Sequence, residues 1–379
     1  MRIAMSCVAS AGGSGVLAAE LGRMLARRGH EVHFVTSTLP HRLRTDPEPG
    51  VFFHEVRALH YPVFEHTPWD LALAVKLAEV WRNHKLDLFH VHYAVPHATA
   101  AILARDMLAP CRSPVVTTLH GTDVTLMGHD ASYKPMVRYC LEKSDAVTAV
   151  SDWLKGVTES VLNPSTPVRR IHNFADTNLF RPAPRDPSFL PADAGRKVFL
   201  HVSNFRPVKR VVDVVRTFAR AVQLGVDGVL ALAGEGPDLS LALELAQELG
   251  VRDRLRLLGV LEDISRVLPQ ADVFLFPSDG ESFGLAPLES LLCQVPVVGA
   301  RAGGLPEVVV DGESGYLHPV GDVEGMARSC VRILKEPGLG ERLGRAGRER
   351  SVREYSVEAI LPHWETLYAE VAEKRRDCC

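Results

Sequence analysis

Short apolar runs with strand character alternate with longer helical patterns along almost the whole chain, and this alternation limits the possible folds most strongly. In the first half the strand-like runs are Arg2–Val8, Glu31–Thr36, Phe52–Val56, Asp87–His92, Val115–Leu119 and Ala146–Val150. Between the first two runs, Leu17, Leu21, Met24 and Leu25 repeat at helical spacing, and Gly29 is placed to end the helix. Buried strands separated by helices are typical of parallel sheets with helices on both faces.

The same pattern starts again in the second half. Its strand-like runs are Lys197–Ser203, Gly228–Ala233, Leu255–Leu258, Asp272–Pro277 and Val295–Ala300. The Pro-rich segment 181–197 lies between the two sets, and a crossover is expected near Val168–Phe174. A chain of 379 residues also exceeds what one hydrophobic core usually serves.

These patterns predict an α/β fold of two doubly wound, Rossmann-like parallel-sheet domains. We place the N-terminal domain at residues 1–170 and the C-terminal domain at 171–357, with a charged final helix at about 358–379 packing back on the first. Ligands of such sheets bind beyond the carboxyl ends of the strands. Function is therefore expected at strand ends, in a cleft between the two domains.

The composition argues against several classes of function. With 43 basic and 46 acidic residues the net charge is −3, so no basic surface for nucleic acid is expected. No apolar run reaches the roughly 18–20 residues of a membrane span, so no membrane partner is expected either. The seven cysteines, including Cys378 and Cys379 at the C-terminus, form no Cys-x-x-Cys pair. This favours a reducing, cytoplasmic location over a disulfide framework.

The segment 278–309 holds the strongest candidate site. Glu281 precedes Phe283-Gly284-Leu285, and Glu289 follows after Pro287, which a helix tolerates only in its first turn. Backbone N–H groups at this helix start would bind an anion, and the two carboxylates would accept hydrogen bonds from hydroxyl groups beside it. Alternatively, both glutamates are carboxylates favoured near a helix N-terminus by its dipole.

A basic segment follows the first strand of the second half. Asn204, Arg206 and Lys209 stand at or just after the strand end. An Arg fork and a Lys point charge suit a diphosphate, although a solvated basic loop fits the residues equally well.

Histidines mark two strand ends of the first half. Thr118 and His120 follow one strand, and His90, His92 and His97 surround the end of another beside Tyr93. A hydrogen-bonded structural role is the alternative to catalysis for His120, and a metal site is not expected because no acidic ligand set accompanies the histidines. The Gly-rich turn Gly12–Gly15 is not a complete dinucleotide fingerprint, and Ser14 in it also suits a helix N-cap.

Together these segments resemble the retaining glycosyltransferases of the GT-B fold, the family of sucrose synthase and glycogen synthase relatives, over essentially the whole chain. The resemblance implies that four residues carry catalysis: His120, Arg206, Lys209 and Glu281. It implies a donor site formed by Gly13, Ser14, Asn204, Phe283, Gly284, Leu285 and Glu289. In these roles Lys209 and a neighbouring Arg neutralise the leaving diphosphate, Glu281 binds sugar hydroxyls and Glu289 binds the ribose.

Within the family, the stretches "VHYAVPHA", "TTLHGTD", "HVSNFRPVKRVVDV" and "ESFGLAPLE" resemble the branch that transfers N-acetylglucosamine from UDP-N-acetylglucosamine to L-malate in the first step of bacillithiol biosynthesis. Where the wider family has Gly-Arg at a strand end, this chain has Ser203-Asn204, with Arg206 two residues later. The two carboxylates of malate require hydrogen-bond donors, and the candidates are Ser14, Tyr93, Thr118, Arg138, Asn204 and Arg206.

The resemblance implies no cofactor and no metal ion, and it leaves open a homo-oligomer. Three alternatives remain at this point. The chain could be a transferase with another small acceptor, such as a sugar, an inositol phosphate or a lipid head group. It could also be a nucleotide-sugar epimerase of the same fold, or a non-catalytic module that binds a nucleotide sugar.

Overall fold

The computed structural model describes residues 1–8, 13–40, 43, 47–60, 63, 66–111, 113–186, 188–190, 193, 195–261 and 263–376. Gly12, Cys378 and Cys379 lie outside these residues. The chain divides into two compact units. Unit 1 is Met1–Asn173 together with the chain from Ile360 onward, and unit 2 is Phe174–Ala359. The sequence prediction put the corresponding boundaries at 170/171 and 357/358.

Unit 1 contains a parallel sheet of seven strands in the order β3-β2-β1-β4-β5-β6-β7. The strands are β1 (Arg2–Ser6), β2 (Glu31–Thr36), β3 (Val51–Glu55), β4 (Leu88–His92), β5 (Val115–Leu119), β6 (Ala146–Ala149) and β7 (Val168–Arg170). The helices are Gly13–Arg27, Trp69–His84, Thr99–Met107, Thr122–Thr125, Lys134–Lys143 and Asp152–Leu162, with Ile360–Arg376 of the final helix Val357–Arg376.

The central strands of unit 1 are buried on both faces because helices cover both. Every residue of β4 and β5 is buried. The first helix turns Leu17, Leu21 and Leu25 into this core, and it ends before Gly29, whose φ of 88° suits a residue without a side chain. The helical prediction for this segment is confirmed.

Unit 2 contains a parallel sheet of six strands in the order β10-β9-β8-β11-β12-β13. The strands are β8 (Lys197–Val202), β9 (Gly228–Ala233), β10 (Leu255–Gly259), β11 (Val273–Phe276), β12 (Val297–Ala300) and β13 (Gly315–His318). The helices are Val211–Gln223, Leu239–Glu248, Leu285–Leu292, Leu305–Val308, Val323–Lys335 and Leu339–Tyr355.

The core of unit 2 lies between the sheet and its helices. Phe199 of β8 packs against Phe218 of the helix Val211–Gln223, with ring centroids 5.2 Å apart. The described part of segment 181–197 is held to this unit, because Asp193 accepts hydrogen bonds from Arg256 of β10 at 2.6 and 2.7 Å. This Pro-rich segment is therefore part of unit 2 and does not separate the units.

Two strands were missed in the sequence. β7 lies where only a crossover was expected, and β13 was not predicted at all. Both are edge strands of three and four residues, too short to show a periodic pattern.

The strand orders place a topological switch point in each sheet. In unit 1 the chain proceeds from β1 to β2 on one side and from β4 to β5 on the other. In unit 2 the corresponding neighbours are β8 and β11. The crevice beyond the carboxyl ends of two such strands is where doubly wound sheets bind ligands.

The final helix returns to unit 1 and contacts its sheet directly. Tyr368 forms a hydrogen bond through its hydroxyl to Nδ1 of His90 at 2.7 Å, and Trp364 packs on the same imidazole with ring centroids 4.8 Å apart. No helix within the described part of the chain combines the length and the apolar character needed to cross a membrane.

Candidate active site

Ser14 and Tyr93 meet across the switch point of unit 1. Gly13 and Ser14 begin the helix after β1, and Tyr93 follows β4. The Tyr93 hydroxyl donates a hydrogen bond to Oγ of Ser14 at 3.0 Å. Tyr93 has a φ of 82°, an uncommon conformation for a residue with a side chain, and its backbone N–H is held by the Thr118 carbonyl at 2.9 Å. The structure thus brings together two residues that the sequence placed 79 positions apart.

His120, at the end of β5, is linked to the end of β4. Its Nε2 lies 2.8 Å from Nδ1 of His92, and its ring centroid lies 5.1 Å from that of Tyr93. Burial, reinforced by the charge that His97 would carry, lowers the pKa of His120 to about 3. The imidazole is therefore neutral at pH 7 and presents no positive charge of its own to a substrate.

A buried polar network holds the histidines in place. Nε2 of His90 is 2.7 Å from the Thr118 hydroxyl, which is 2.8 Å from the Thr148 hydroxyl on β6. Nδ1 of His97 is 2.9 Å from Oγ of Ser6 at the end of β1. Burial lowers the pKa of His90 to about 3 and that of His97 to about 4.

Thr118 and Arg138 differ from the other predicted acceptor residues of unit 1. The Thr118 side chain is 1% exposed, and its hydroxyl is shared by His90 and Thr148. Its contact with an acceptor stays a prediction. Arg138 is exposed, and its Nε donates to Glu142 on the same helix at 2.8 Å.

Lys209 and Glu281 meet across the switch point of unit 2. Lys209 follows β8 and Glu281 follows β11, and their side chains form an ion pair with Nζ 2.6 Å from Oε2. Both side chains are mostly buried, at 20% and 16% exposed, and the ammonium group lies 5.3 Å from the centroid of the Phe276 ring. An ammonium has three N–H donors, so two remain for an incoming anion after Glu281 takes one.

The loop between β8 and Lys209 is held in place by a buried histidine of unit 2, His201. Nδ1 of His201 lies 2.8 Å from the Leu275 carbonyl, so this nitrogen carries the proton and Nε2 accepts from the Ser203 hydroxyl at 2.8 Å. Phe205 is fully buried and anchors the loop. Its neighbours Asn204 and Arg206 remain exposed, as a binding role requires.

The helix Leu285–Leu292 begins where the sequence indicated. Gly284 precedes it with a φ of 105°, and Pro287 lies in the first turn, as predicted. Phe283 is 1% exposed and packs edge-on against Tyr355 with centroids 5.5 Å apart. Glu289, 6% exposed, lies inside the helix.

The structure adds three supporting contacts to the two half-sites. A side chain on Gly303, whose φ is 60°, would lie 2.0 Å from the Glu281 carbonyl, so the glycine allows these loops to touch. The Asp123 carboxylate accepts the Gly121 N–H at 3.0 Å and fixes the turn after His120. His92, noticed only as part of a His-x-His pair, contacts His120. Two sequence signals pointed to these contacts. They are the glycine pair Gly303-Gly304 after β12 and Asp123 after Gly121-Thr122.

Comparisons with known proteins agree with this geometry. The family model "Glycosyltransferase Family 4" matches residues 11–179, and "Glycosyl transferases group 1" matches residues 183–350. The chain is 43% identical over 375 residues to the N-acetyl-alpha-D-glucosaminyl L-malate synthase of Bacillus anthracis, covering 98% of this chain and 97% of that protein. The chain belongs to the GT-B glycosyltransferases. Like its relative, this GT-B enzyme is a hexosyltransferase.

A more distant relative of this GT-B glycosyltransferase is named for a different acceptor, and solved structures share its fold. A D-inositol 3-phosphate glycosyltransferase of Mycolicibacterium smegmatis is 29% identical over 93% of this chain and 85% of its own length. Among solved structures, the sucrose-phosphate synthase of Thermosynechococcus elongatus has a TM-score of 0.80 at 24% identity, covering 98% and 99% of the two chains. Anabaena HepE with UDP-glucose has a TM-score of 0.81 at 21% identity, covering 97% and 100%. These two structures share the GT-B fold.

Proposed function

We propose that this glycosyltransferase transfers N-acetylglucosamine from UDP-N-acetylglucosamine to the hydroxyl group of L-malate, in the first step of bacillithiol biosynthesis. The observation that carries this proposal is the 43% identity, over nearly the full length of both chains, to an enzyme named for that product. The name describes an α-linked product, and formation of an α-linkage from an α-linked nucleotide sugar is transfer with retention.

Unit 2 supplies the donor half of the proposed reaction. Lys209 and Arg206 neutralise the diphosphate. The backbone N–H groups at the N-terminus of the helix Leu285–Leu292 donate further hydrogen bonds to it. Glu281 accepts hydrogen bonds from sugar hydroxyls, and Glu289 accepts those of the ribose. Because the cations are protein side chains, we propose that transfer needs no added divalent metal ion.

Unit 1 supplies groups for the acceptor and the reacting sugar. The Tyr93 hydroxyl donates to Oγ of Ser14 at 3.0 Å, which leaves the Ser14 O–H to donate to a carboxylate of malate. Asn204 and Arg206 of unit 2 are the further candidates, and both are exposed. Gly13 leaves room at the start of the first helix for the substrates to approach the backbone.

The proposed transfer proceeds without a protein nucleophile. The bond between the anomeric carbon and the UDP oxygen breaks, and the malate hydroxyl oxygen forms a bond to the same carbon on the same face. The hydroxyl proton passes to the phosphate oxygen that departs. Lys209 stabilises the negative charge that develops on the diphosphate, and the neutral ring of His120 orients the reacting sugar or stabilises the positive charge that develops on it.

We expect His120→Ala to lower kcat by about 100-fold while changing UDP affinity less than threefold, because its role is confined to the reacting sugar. Steady-state kinetics and UDP titration of the same preparation measure the two effects. His129→Ala, which removes an exposed histidine of the same unit, is the matched control. Equal losses of turnover and UDP affinity would assign His120 a structural role instead.

The function itself is tested by UDP release from UDP-N-acetylglucosamine in the presence of a chelator, with and without L-malate. We expect release that depends on L-malate, and an α-linked product by NMR. Release with an inositol phosphate but none with malate would reject the malate assignment and leave the glycosyltransferase family unaffected. Conversion of the donor without any acceptor would instead indicate an epimerase.

A further inference from the structure

Three histidines that the proposed reaction does not use meet on one side of the sheet in unit 1. They are His33 on β2, His54 on the edge strand β3 and His84 at the end of the helix Trp69–His84. One ring nitrogen from each lies within 4.8 Å of the other two. We call these residues the three-histidine cluster. They are separated by 21 and 30 positions and form no sequence motif.

The ring nitrogens of the cluster face one another. Nδ1 of His33 lies 2.9 Å from Nε2 of His54. The His84 ring lies 4.6 Å from the His33 ring and 5.0 Å from the His54 ring between centroids. The imidazoles of a tetrahedral zinc site place their nitrogens about 3.3 Å apart, given Zn–N bonds of about 2.0–2.1 Å. His84 is exposed, so its side chain can rotate to close the remaining gap.

The surroundings of His33 favour a neutral imidazole whose Nδ1 can bind a metal ion. His33 is 1% exposed, and its Nε2 has no hydrogen-bond partner among the residues that the structure describes. The carboxylate of Glu31 lies 3.9 Å from that nitrogen, where a short shift would let it accept the Nε2 proton. A carboxylate behind a histidine is the usual outer partner of a metal ligand, and it leaves Nδ1 free to coordinate.

We propose that His33, His54 and His84 bind one Zn²⁺ ion through their imidazoles, with water in the fourth position. Imidazole nitrogens suit Zn²⁺ and other late first-row metals, and three of them form a common zinc ligand set. The ion would join β2, the exposed edge strand β3 and the end of a helix. It is separate from the proposed transfer, in which no metal ion takes part. On the helix Trp69–His84, Lys76 is paired with Glu79 at 3.0 Å.

The test uses the full-length protein without a polyhistidine tag, treated with chelator and dialysed against Zn²⁺. Metal analysis should show one equivalent more in the unaltered protein than in the double variant His54→Gln/His84→Gln. His54→Gln and His84→Gln alone should each weaken Zn²⁺ binding at least about 100-fold. Loss of an outer partner of a metal ligand typically weakens binding only about 10–100-fold. His363→Gln, which removes an exposed histidine of the final helix, is the control.

Two further readouts separate binding from a folding defect. With Co²⁺ in place of Zn²⁺, the unaltered protein should show the visible absorption of a tetrahedral nitrogen-bound ion, and the double variant should not. Zn²⁺ should raise Tm of the unaltered protein but not of the double variant, because ligands that bind only the folded state stabilise it. Equal metal content in the two proteins, or no Co²⁺ absorption in the unaltered protein, would overturn the proposal.

Discussion

Lys209→Met is expected to lower kcat by about 10²–10³-fold, the loss typical when one preorganised group that stabilises developing charge is removed. The ammonium of Lys209 lies 2.6 Å from Oε2 of Glu281 in a mostly buried setting beside the Phe276 ring. In such surroundings charges interact more strongly than in water. As the bond to the diphosphate breaks, the negative charge on the leaving group grows, so the loss falls mainly on the transition state.

Lys197→Met is the matched control for this experiment. Lys197 stands at the opposite end of β8, where Nζ lies 3.3 Å from Asp272 and the side chain is 45% exposed. We expect its removal to change kcat less than twofold. Because Lys209→Met leaves the Glu281 carboxylate without its partner, Tm should be measured for both variants. Similar kinetics for the two variants, with both proteins folded, would show that Lys209 does not act on the leaving group.

The second large effect is a loss of stability in mild acid. Burial lowers the pKa of His90 and His120 to about 3, and that of His97 and His201 to about 4, from an ordinary value of 6.5. Between these values the unfolded chain binds more protons than the folded protein, so the free energy of unfolding decreases as pH falls below 6.5. Each such histidine lowers the free energy of unfolding by up to about 1.4 kcal/mol for each pH unit below 6.5.

One buried carboxyl group opposes this trend. Burial raises the pKa of Asp123 from 3.8 to about 6, although backbone N–H groups lower it in part. Between pH 6 and 3.8 the Asp123 carboxyl is protonated in the folded protein and ionised in the unfolded chain. Its contribution to the free energy of unfolding therefore becomes less unfavourable as pH falls. The net loss from pH 6.5 to 5.0 is expected to be on the order of 5 kcal/mol, a large part of the stability of a typical domain.

Denaturant titrations at pH 7.5, 6.5 and 5.0 measure this loss, with the transition of each unit followed where the two are resolved. Calorimetry in two buffers of different ionisation enthalpy gives the protons taken up on unfolding, which should be at least about three at pH 5.5. His129→Gln, at an exposed position, should leave the pH dependence unchanged. Unfolding without proton uptake would mean that the buried histidines are already charged in the folded protein.

Much of the fold could be predicted from local patterns. Continuous apolar runs predicted the central strands to within two residues at either end, because burial on both faces leaves no polar alternation. Glycine and proline positions predicted the end of the first helix and the start of Leu285–Leu292. Edge strands β7 and β13 were missed because they are short and only partly buried. The burial of the Thr118 hydroxyl against His90 could not be predicted from the sequence, because it depends on strand pairing.

The sequence by itself determined the fold class, the family and the residues at each strand end, since these depend on periodicity and on short motifs. Only the tertiary structure decided which strand ends are neighbours. The orders β1-β4 and β8-β11 bring Ser14 to Tyr93 and Lys209 to Glu281, across 79 and 72 positions of chain. The three-histidine cluster depends in the same way on strand pairing and helix packing. Such contacts arise from the burial of whole elements, which no local pattern of residues specifies.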